Sequence, residues 1–217
     1  MEIVYQDRRI VVAVKPSGVL STDEPGGAPE LLRAQLGTEC IRTVHRLDAQ
    51  VAGLMVFARS ARAASILSEQ VRERRFGKEY LAVVHGALPA EGRMQDFLLR
   101  DRCDGLTRVA EAGTPGAKEA RLSYRVLARI DDKTLVRVAL ETGRTHQIRV
   151  HMASIGHPII GDPVYGLKKD RFSDIGGQCL HAAELTLTHP KTGGRMTFSA
   201  ALPDYFVEIL QKLERMQ

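Results

Sequence analysis

The sequence predicts an α+β fold: a mixed, mostly antiparallel central sheet with flanking helices. Two observations carry this. Apolar, β-branched runs of strand length recur along the chain, several joined by turns too short for a parallel crossover. A smaller number of stretches hold the helical period, so helices pack onto the sheet instead of alternating with every strand.

The elements follow in order. Glu2–Tyr5 and Ile10–Val14 read as a hairpin turning at Gln6–Arg9, and the second strand stops at Lys15-Pro16-Ser17-Gly18. A helix is predicted over 29–36, with Pro29 in its first turn and Gly37 past its end. Leu54–Ala58 has the continuous apolar character of a buried strand. Ser60 is placed to cap a helix reaching about Arg75, with Ala63, Ile66, Leu67 and Val71 on its apolar face. Lys78–His85 reads as a strand. The stretch that follows is looser, broken into turns by Gly105, Gly113, Pro115 and Gly116. A long strand from Lys118 to Ile130 then turns at Asp131-Asp132-Lys133 into Thr134–Leu140. Thr145 is placed to cap a helix through Ile155, ended by Gly156. Leu180–Thr188 and Arg195–Ala200 form another hairpin, and a last helix over 204–215 carries Phe206, Ile209, Leu210 and Leu213 on one stripe.

The 217 residues, 44% hydrophobic and 26% charged, are enough for a good core and show no linker that marks a domain boundary. A single domain over 1–217 is therefore expected. Three widely spaced cysteines argue against a disulfide framework or a thiolate zinc site. The first residues lack a signal-peptide pattern, and no apolar run approaches membrane-spanning length. The expected compartment is the cytoplasm, with no membrane attachment. The net charge is +5. Between Arg42 and Lys78 there are eight Lys/Arg against three acids, an excess equal to that of the whole chain. A concentration of this kind suits a polyanion.

That basic segment contains Val44-His45-Arg46-Leu47-Asp48, followed by Ala52-Gly53. An Asp in a loop is ordinarily a turn former. Here it lies between two apolar segments, 41–44 and 54–58, where a carboxylate needs a positive partner to stay charged. Arg46 and Arg149 are the candidates. Arg149 lies in Gly143-Arg144-Thr145-His146-Gln147-Ile148-Arg149-Val150-His151, which reads otherwise as a capped helix with solvated basic residues. The spacing of His146, His151 and His157 fits no zinc pattern, so no metal site is expected. Gly161-Asp162-Pro163-Val164-Tyr165-Gly166 reads as a turn, and Tyr80 as a half-buried strand tyrosine.

Taken together and in order, Val14-Lys15-Pro16-Ser17-Gly18, His45-Arg46-Leu47-Asp48 with Gly53, Lys78-Glu79-Tyr80, the 143–151 segment, His157-Pro158-Ile159-Ile160-Gly161-Asp162 and Leu180-His181-Ala182 resemble the RluA family of pseudouridine synthases. The motifs cover nearly the whole chain and resemble the short members, with the catalytic domain alone and no separate N-terminal RNA-binding domain. One departure is Val51-Ala52, where the family usually carries hydroxyl residues before the glycine.

The resemblance implies the pseudouridine synthase fold, with an active-site cleft across the sheet, and isomerisation of uridine to pseudouridine in rRNA or tRNA. It implies no cofactor and no obligate protein partner. Asp48 would be the nucleophile, Arg149 its cationic partner, and Tyr80 the base that takes the carbon-5 proton. His45 and Arg46 would bind the substrate, Arg46 filling the gap left by the displaced nucleotide, and Ile148 and Leu180 would give apolar contact to the ring. The target uridine would lie in a loop or distorted stem, where unstacking costs least. Two other readings stand beside this one: an RNA-binding module of the same fold without activity, and a hydrolase of the glycosidic bond. The second is weakened by the lack of a second carboxylate in a comparable motif.

Overall fold

The structure, a computed structural model, describes residues 1–168, 170, 172, 175 and 177–215. In chain order its elements are β1 (Glu2–Gln6), β2 (Ile10–Lys15), α1 (Ala28–Leu36), β3 (Arg42–Thr43), β4 (Ala52–Ala58), α2 (Ala61–Arg72), β5 (Gly77–His85), β6 (Glu91–Arg100), β7 (Thr107–Ala110), β8 (Lys118–Ile130), β9 (Lys133–Leu140), α3 (Gln147–Ser154), β10 (Leu180–Thr188), β11 (Arg195–Ser199) and α4 (Asp204–Glu214). The class is α+β and the strand pairing is mostly antiparallel, as the short turns predict. The chain divides into two compact units, Met1–Lys78 with His181–Leu202, and Glu79–Leu180 with Pro203–Gln217.

In the first unit β2 pairs with β1 on one side and β4 on the other, both antiparallel. β4 also runs parallel to β10 through His181↔Ala52 and Ala182↔Gly53, and β11 pairs antiparallel with β10. All seven residues of β4 are buried, which is why it reads as an unbroken apolar run with no alternation. Leu54, Val56 and Ala58 face Ile10 and Val12 and pack with Ala63 and Leu67 of α2. The Ser60 hydroxyl accepts the Ala63 N–H, as expected of the cap. α2 stops at Arg72, short of the predicted end. Arg74 takes the left-handed conformation (φ 58°) and the Arg75 N–H returns to the Gln70 carbonyl. No glycine announces this ending, so the sequence reading ran past it. Gln70 is buried and its amide bonds both the carbonyl and the N–H of Thr188, so the helix holds β10 by mimicking a strand edge.

In the second unit the strand order is β5-β9-β8-β6-β7, all antiparallel. Ala82, Val84, Leu122, Val136 and Val138 are buried along the central strands, and Val150 of α3 packs on Leu98 and Ala120. β6 and β7 were not predicted: the stretch from 86 to 117 reads as turns. Charged residues interrupt β6 and its first half alternates only between exposed and half-buried, so the apolar periodicity that marks a strand is faint.

The start of α3 is a second correction. Thr145 is not its cap. The N-cap residue is His146, at φ 55° and without a side-chain cap bond. The Gln147 amide oxygen instead accepts the Arg144 N–H and the Thr142 hydroxyl. At the other end Gly156 (φ 82°) closes the helix as predicted. In α4, Phe206, Ile209 and Leu213 are buried along one stripe. No helix among the described residues is long and apolar enough to cross a membrane.

Gly53 is fixed by both conformation and space. Its φ is 131°, and a Cβ there would lie 2.4 Å from the Ala182 carbonyl oxygen and 2.6 Å from its nitrogen. These are backbone atoms of the paired strand and cannot move aside without opening the β4–β10 ladder. Gly53→Ala is expected to destabilise the protein by on the order of 3 kcal/mol, read as a lower urea midpoint. An unchanged midpoint would show that the parallel ladder is not rigid at this point.

Candidate active site

Asp48 lies in a loop of the first unit that is sewn to the segment after β2. Burial alternates along the motif: His45 is buried, Arg46 exposed, Leu47 buried and Asp48 half-buried. Leu47, immediately before Asp48, is held by one buried hydroxyl. Ser21 Oγ donates to the Leu47 carbonyl at 2.7 Å and accepts its N–H at 3.0 Å. Ala49, immediately after, is held from the other side. Its carbonyl accepts the Gly18 N–H at 2.8 Å and the Lys15 ammonium at 2.9 Å. The Val51 N–H returns to the Asp48 carbonyl at 3.0 Å, closing the turn. Both neighbours of the acid are thus fixed through their backbones.

Lys15 organises this region. It ends β2, is 0% exposed, and its Nζ also donates to the carbonyls of Pro16 (2.8 Å) and Val19 (2.7 Å). Three carbonyl acceptors match the three hydrogens of the ammonium. Burial pushes Lys15 down to about 8, and the negative charge of Asp48 works against that fall. Asp48 therefore has a cationic neighbour inside its own unit. The sequence points to Arg46 and Arg149 for this and marks neither Lys15 nor Ser21. The available signal was a lysine closing an otherwise apolar strand.

His45 is a core residue. Its Nε2 accepts the Val56 N–H at 3.1 Å, which puts the ring hydrogen on Nδ1. The ring meets Phe76 edge-on at 6.0 Å. Burial, and then the nearby Lys78 charge, hold His45 well below its ordinary range, so it is neutral. It secures β4 and leaves Arg46 turned outward. Lys78 sits over the Phe76 ring at 5.9 Å and is itself pushed down to about 8 by burial.

Tyr80, Arg149 and Ile148 lie in the second unit. Tyr80 is buried on β5, opposite Val138. Ile148 is buried in the first turn of α3, and Leu180 is buried at the start of β10. Arg149, one residue on from Ile148, is 5% exposed and makes a bidentate pair with Asp162: Nε to Oδ2 at 2.7 Å and Nη2 to Oδ1 at 2.8 Å. The Asp162 Oδ1 also accepts the backbone N–H groups of Val164 and Tyr165 at 2.9 and 3.0 Å. Burial opposes the Asp162 charge, but Arg149 and these N–H groups outweigh it and hold the carboxyl below its ordinary value. The guanidinium plane is therefore set by a carboxylate that is itself set by its own turn. In the sequence Asp162 reads as a turn former. It is that, and its second function shows only when the fold puts α3 beside it. Among the described residues no group of three His, Cys, Asp or Glu could hold a metal ion.

Comparison with known proteins agrees with the motifs. The family described as RNA pseudouridylate synthase matches residues 9–154. The chain is 36% identical over 227 residues to the uncharacterized RNA pseudouridine synthase YlyB of Bacillus subtilis, covering 99% of this chain and 73% of that protein. It is 36% identical over 232 residues to the ribosomal large subunit pseudouridine synthase D of Nitrosomonas europaea, covering 100% of this chain and 66% of that protein. It thus spans about two thirds to three quarters of the length of these curated relatives. Among solved structures, human RNA pseudouridylate synthase domain containing 4 superposes with a TM-score of 0.80 at 26% identity, over 98% of this chain and 92% of that one. With its ordered motifs and this shared fold, the chain belongs to the RNA pseudouridylate synthase family, in its RluA branch.

Proposed function

We propose that this chain is an RNA pseudouridine synthase that isomerises uridine to pseudouridine in a structured RNA, with Asp48 as nucleophile. The observation that carries the assignment is the double anchoring of the Asp48 loop, by Ser21 before the acid and by Lys15 after it. A carboxylate that only formed a turn would need neither. Family membership supports the reaction. It breaks the bond between the ribose carbon and uracil nitrogen 1, turns the base, and joins the same ribose carbon to carbon 5. The hydrogen leaves carbon 5 and nitrogen 1 gains one, so no electrons are exchanged and the chemistry calls for no redox cofactor.

In this reading Arg149 is the cationic partner of the Asp48 carboxylate. Two of its five N–H donors go to Asp162, which sets the direction of the rest. Tyr80 takes the carbon-5 proton. Ile148 and Leu180 give the uracil ring apolar contact, and His45 acts by holding the exposed Arg46 where a nucleotide has left the stack. The basic segment from Arg42 to Lys78 grips phosphates and orients the strand. All 217 residues form one catalytic domain. The name of the Nitrosomonas europaea relative favours ribosomal RNA of the large subunit as substrate, with transfer RNA as the second choice.

The test is tritium release from rRNA and tRNA transcripts carrying 5-tritiated uridine. Wild-type protein is expected to release tritium and to form no free uracil. Free uracil would instead mean hydrolysis. Asp48→Ala is expected to abolish release, a loss on the order of 10⁴-fold or more, while RNA affinity in a filter-binding assay stays near normal; robust release by this variant removes the central assignment. Arg149→Met is expected to lower the single-turnover rate by on the order of 10²-fold. Because it also leaves Asp162 buried and unpaired, its melting temperature should be measured in parallel, and an unchanged rate would give Asp48 another partner. Tyr80→Phe is expected to bind RNA and detach the base without releasing tritium; full turnover would exclude it as the base.

A further inference from the structure

We infer that Tyr165 is a positioning residue for this reaction, clamping His146 through its hydroxyl and Arg149 through its ring; the inference rests on the pseudouridine-forming reading above. The phenol oxygen accepts the Thr107 N–H at 2.9 Å and lies 2.9 Å from His146 Nδ1. The two rings meet edge to face, with centroids 5.5 Å apart. The Arg149 guanidinium carbon is 5.1 Å from the centre of the Tyr165 ring. One side chain thus touches two polar residues at the start of α3, His146 and Arg149.

Two features separate this from ordinary packing. His146 is a non-glycine residue at φ 55°, at the point where the helix begins, and its imidazole makes no cap bond. A left-handed residue of this kind is held there by its surroundings, and such strain concentrates at working sites. The imidazole meets the Tyr165 ring edge to face. The second feature is the double use of one oxygen. The Tyr165 hydroxyl takes the Thr107 N–H and also meets His146 Nδ1, so the imidazole is tied through the phenol to the backbone at the start of β7.

The clamp is rigid because its turn is. Gly166 donates to the Asp162 carbonyl at 3.1 Å, and a Cβ at Gly166 would lie 2.2 Å from that oxygen. Asp162 then takes the Val164 and Tyr165 N–H groups and the Arg149 fork together. The turn holds Arg149 in its plane by the carboxylate and from one face by the phenol ring. Removing the hydroxyl takes one bond from His146 and keeps the ring over Arg149. Removing the ring takes a contact from each.

The experiment is a double-substitution cycle with Tyr165→Phe and His146→Gln, read as single-turnover tritium release from 5-tritiated rRNA transcripts and as RNA affinity by filter binding. Each single variant is expected to lose about tenfold in rate and less than about twofold in affinity. The double variant is expected to be no slower than the slower single. Tyr165→Leu is expected to lose a further factor of about ten. Full rate in Tyr165→Phe, or losses that multiply in the double variant, would overturn the clamp. A second readout needs no turnover: long-range proton–nitrogen NMR of the free protein should show His146 held in a single tautomer, and a shifted tautomer population in Tyr165→Phe. An averaged wild-type ring overturns the clamp. A fixed tautomer in a wild type that releases no tritium supports the clamp geometry and overturns the reaction reading alone.

Discussion

A fully buried ammonium at the end of β2 sets the backbone around Asp48. Lys15 cannot reach water, so its three hydrogens go to the carbonyls of Pro16, Val19 and Ala49. Two of these belong to the segment that follows β2, and the third belongs to the residue after Asp48. The need to satisfy one charge therefore fixes the distance between two loops that are more than thirty residues apart in sequence. Taking a charge out of water is expensive unless every donor finds an acceptor. Any sliding of the Asp48 loop would strand one of those donors. The energetic penalty of the buried lysine is what makes the loop stiff.

The second unit reaches the same end with the charges reversed. There a cation, Arg149, comes from a helix, and its fixed partner is the acid Asp162 on a turn. Asp162 also collects two backbone N–H groups, so the turn cannot rotate without breaking four bonds. In both units a residue of the proposed site lies beside a buried group of opposite charge, and that group is in turn steadied by backbone. Such arrangements are set before substrate arrives, which is the condition under which fixed charges are worth most to a reaction.

Much of this could be read in the sequence and some could not, for reasons that differ by residue. Gly37, Ser60 and Gly156 act locally, through a left-handed φ or one hydrogen bond three residues away, and the chain order shows such effects. Asp48 stood out because an acid between two apolar runs is unusual on its own. Lys15 and Asp162 act across distance: a lysine ending a strand and an aspartate before a proline each have an ordinary local explanation, and only the fold reveals what they hold. Arg74 and His146 escaped because left-handed residues that are not glycine carry no sequence mark. β6 escaped because its charged residues mask the period of two. The limit lies where a residue's work is done for a neighbour remote in sequence.

Gly53 shows how closely fold and site are joined in the first unit. It lies five residues past Asp48 and pairs with Ala182 in the parallel β4–β10 ladder, where its backbone nearly touches the partner strand. The next residues of β4 are all buried, so the strand cannot shift to relieve a clash. Asp48 is thus held from three directions: Ser21 on the preceding residue, Lys15 on the following one, and β4 locked to β10 just beyond. The departure at Val51-Ala52 sits inside this frame, where both side chains are buried. Apolar groups satisfy that space without a hydrogen-bond partner, whereas buried hydroxyls would each need one. Ser21 and Lys15 hold the backbone on either side of Asp48, and neither Val51 nor Ala52 supplies a side chain to that frame, so it tolerates the exchange.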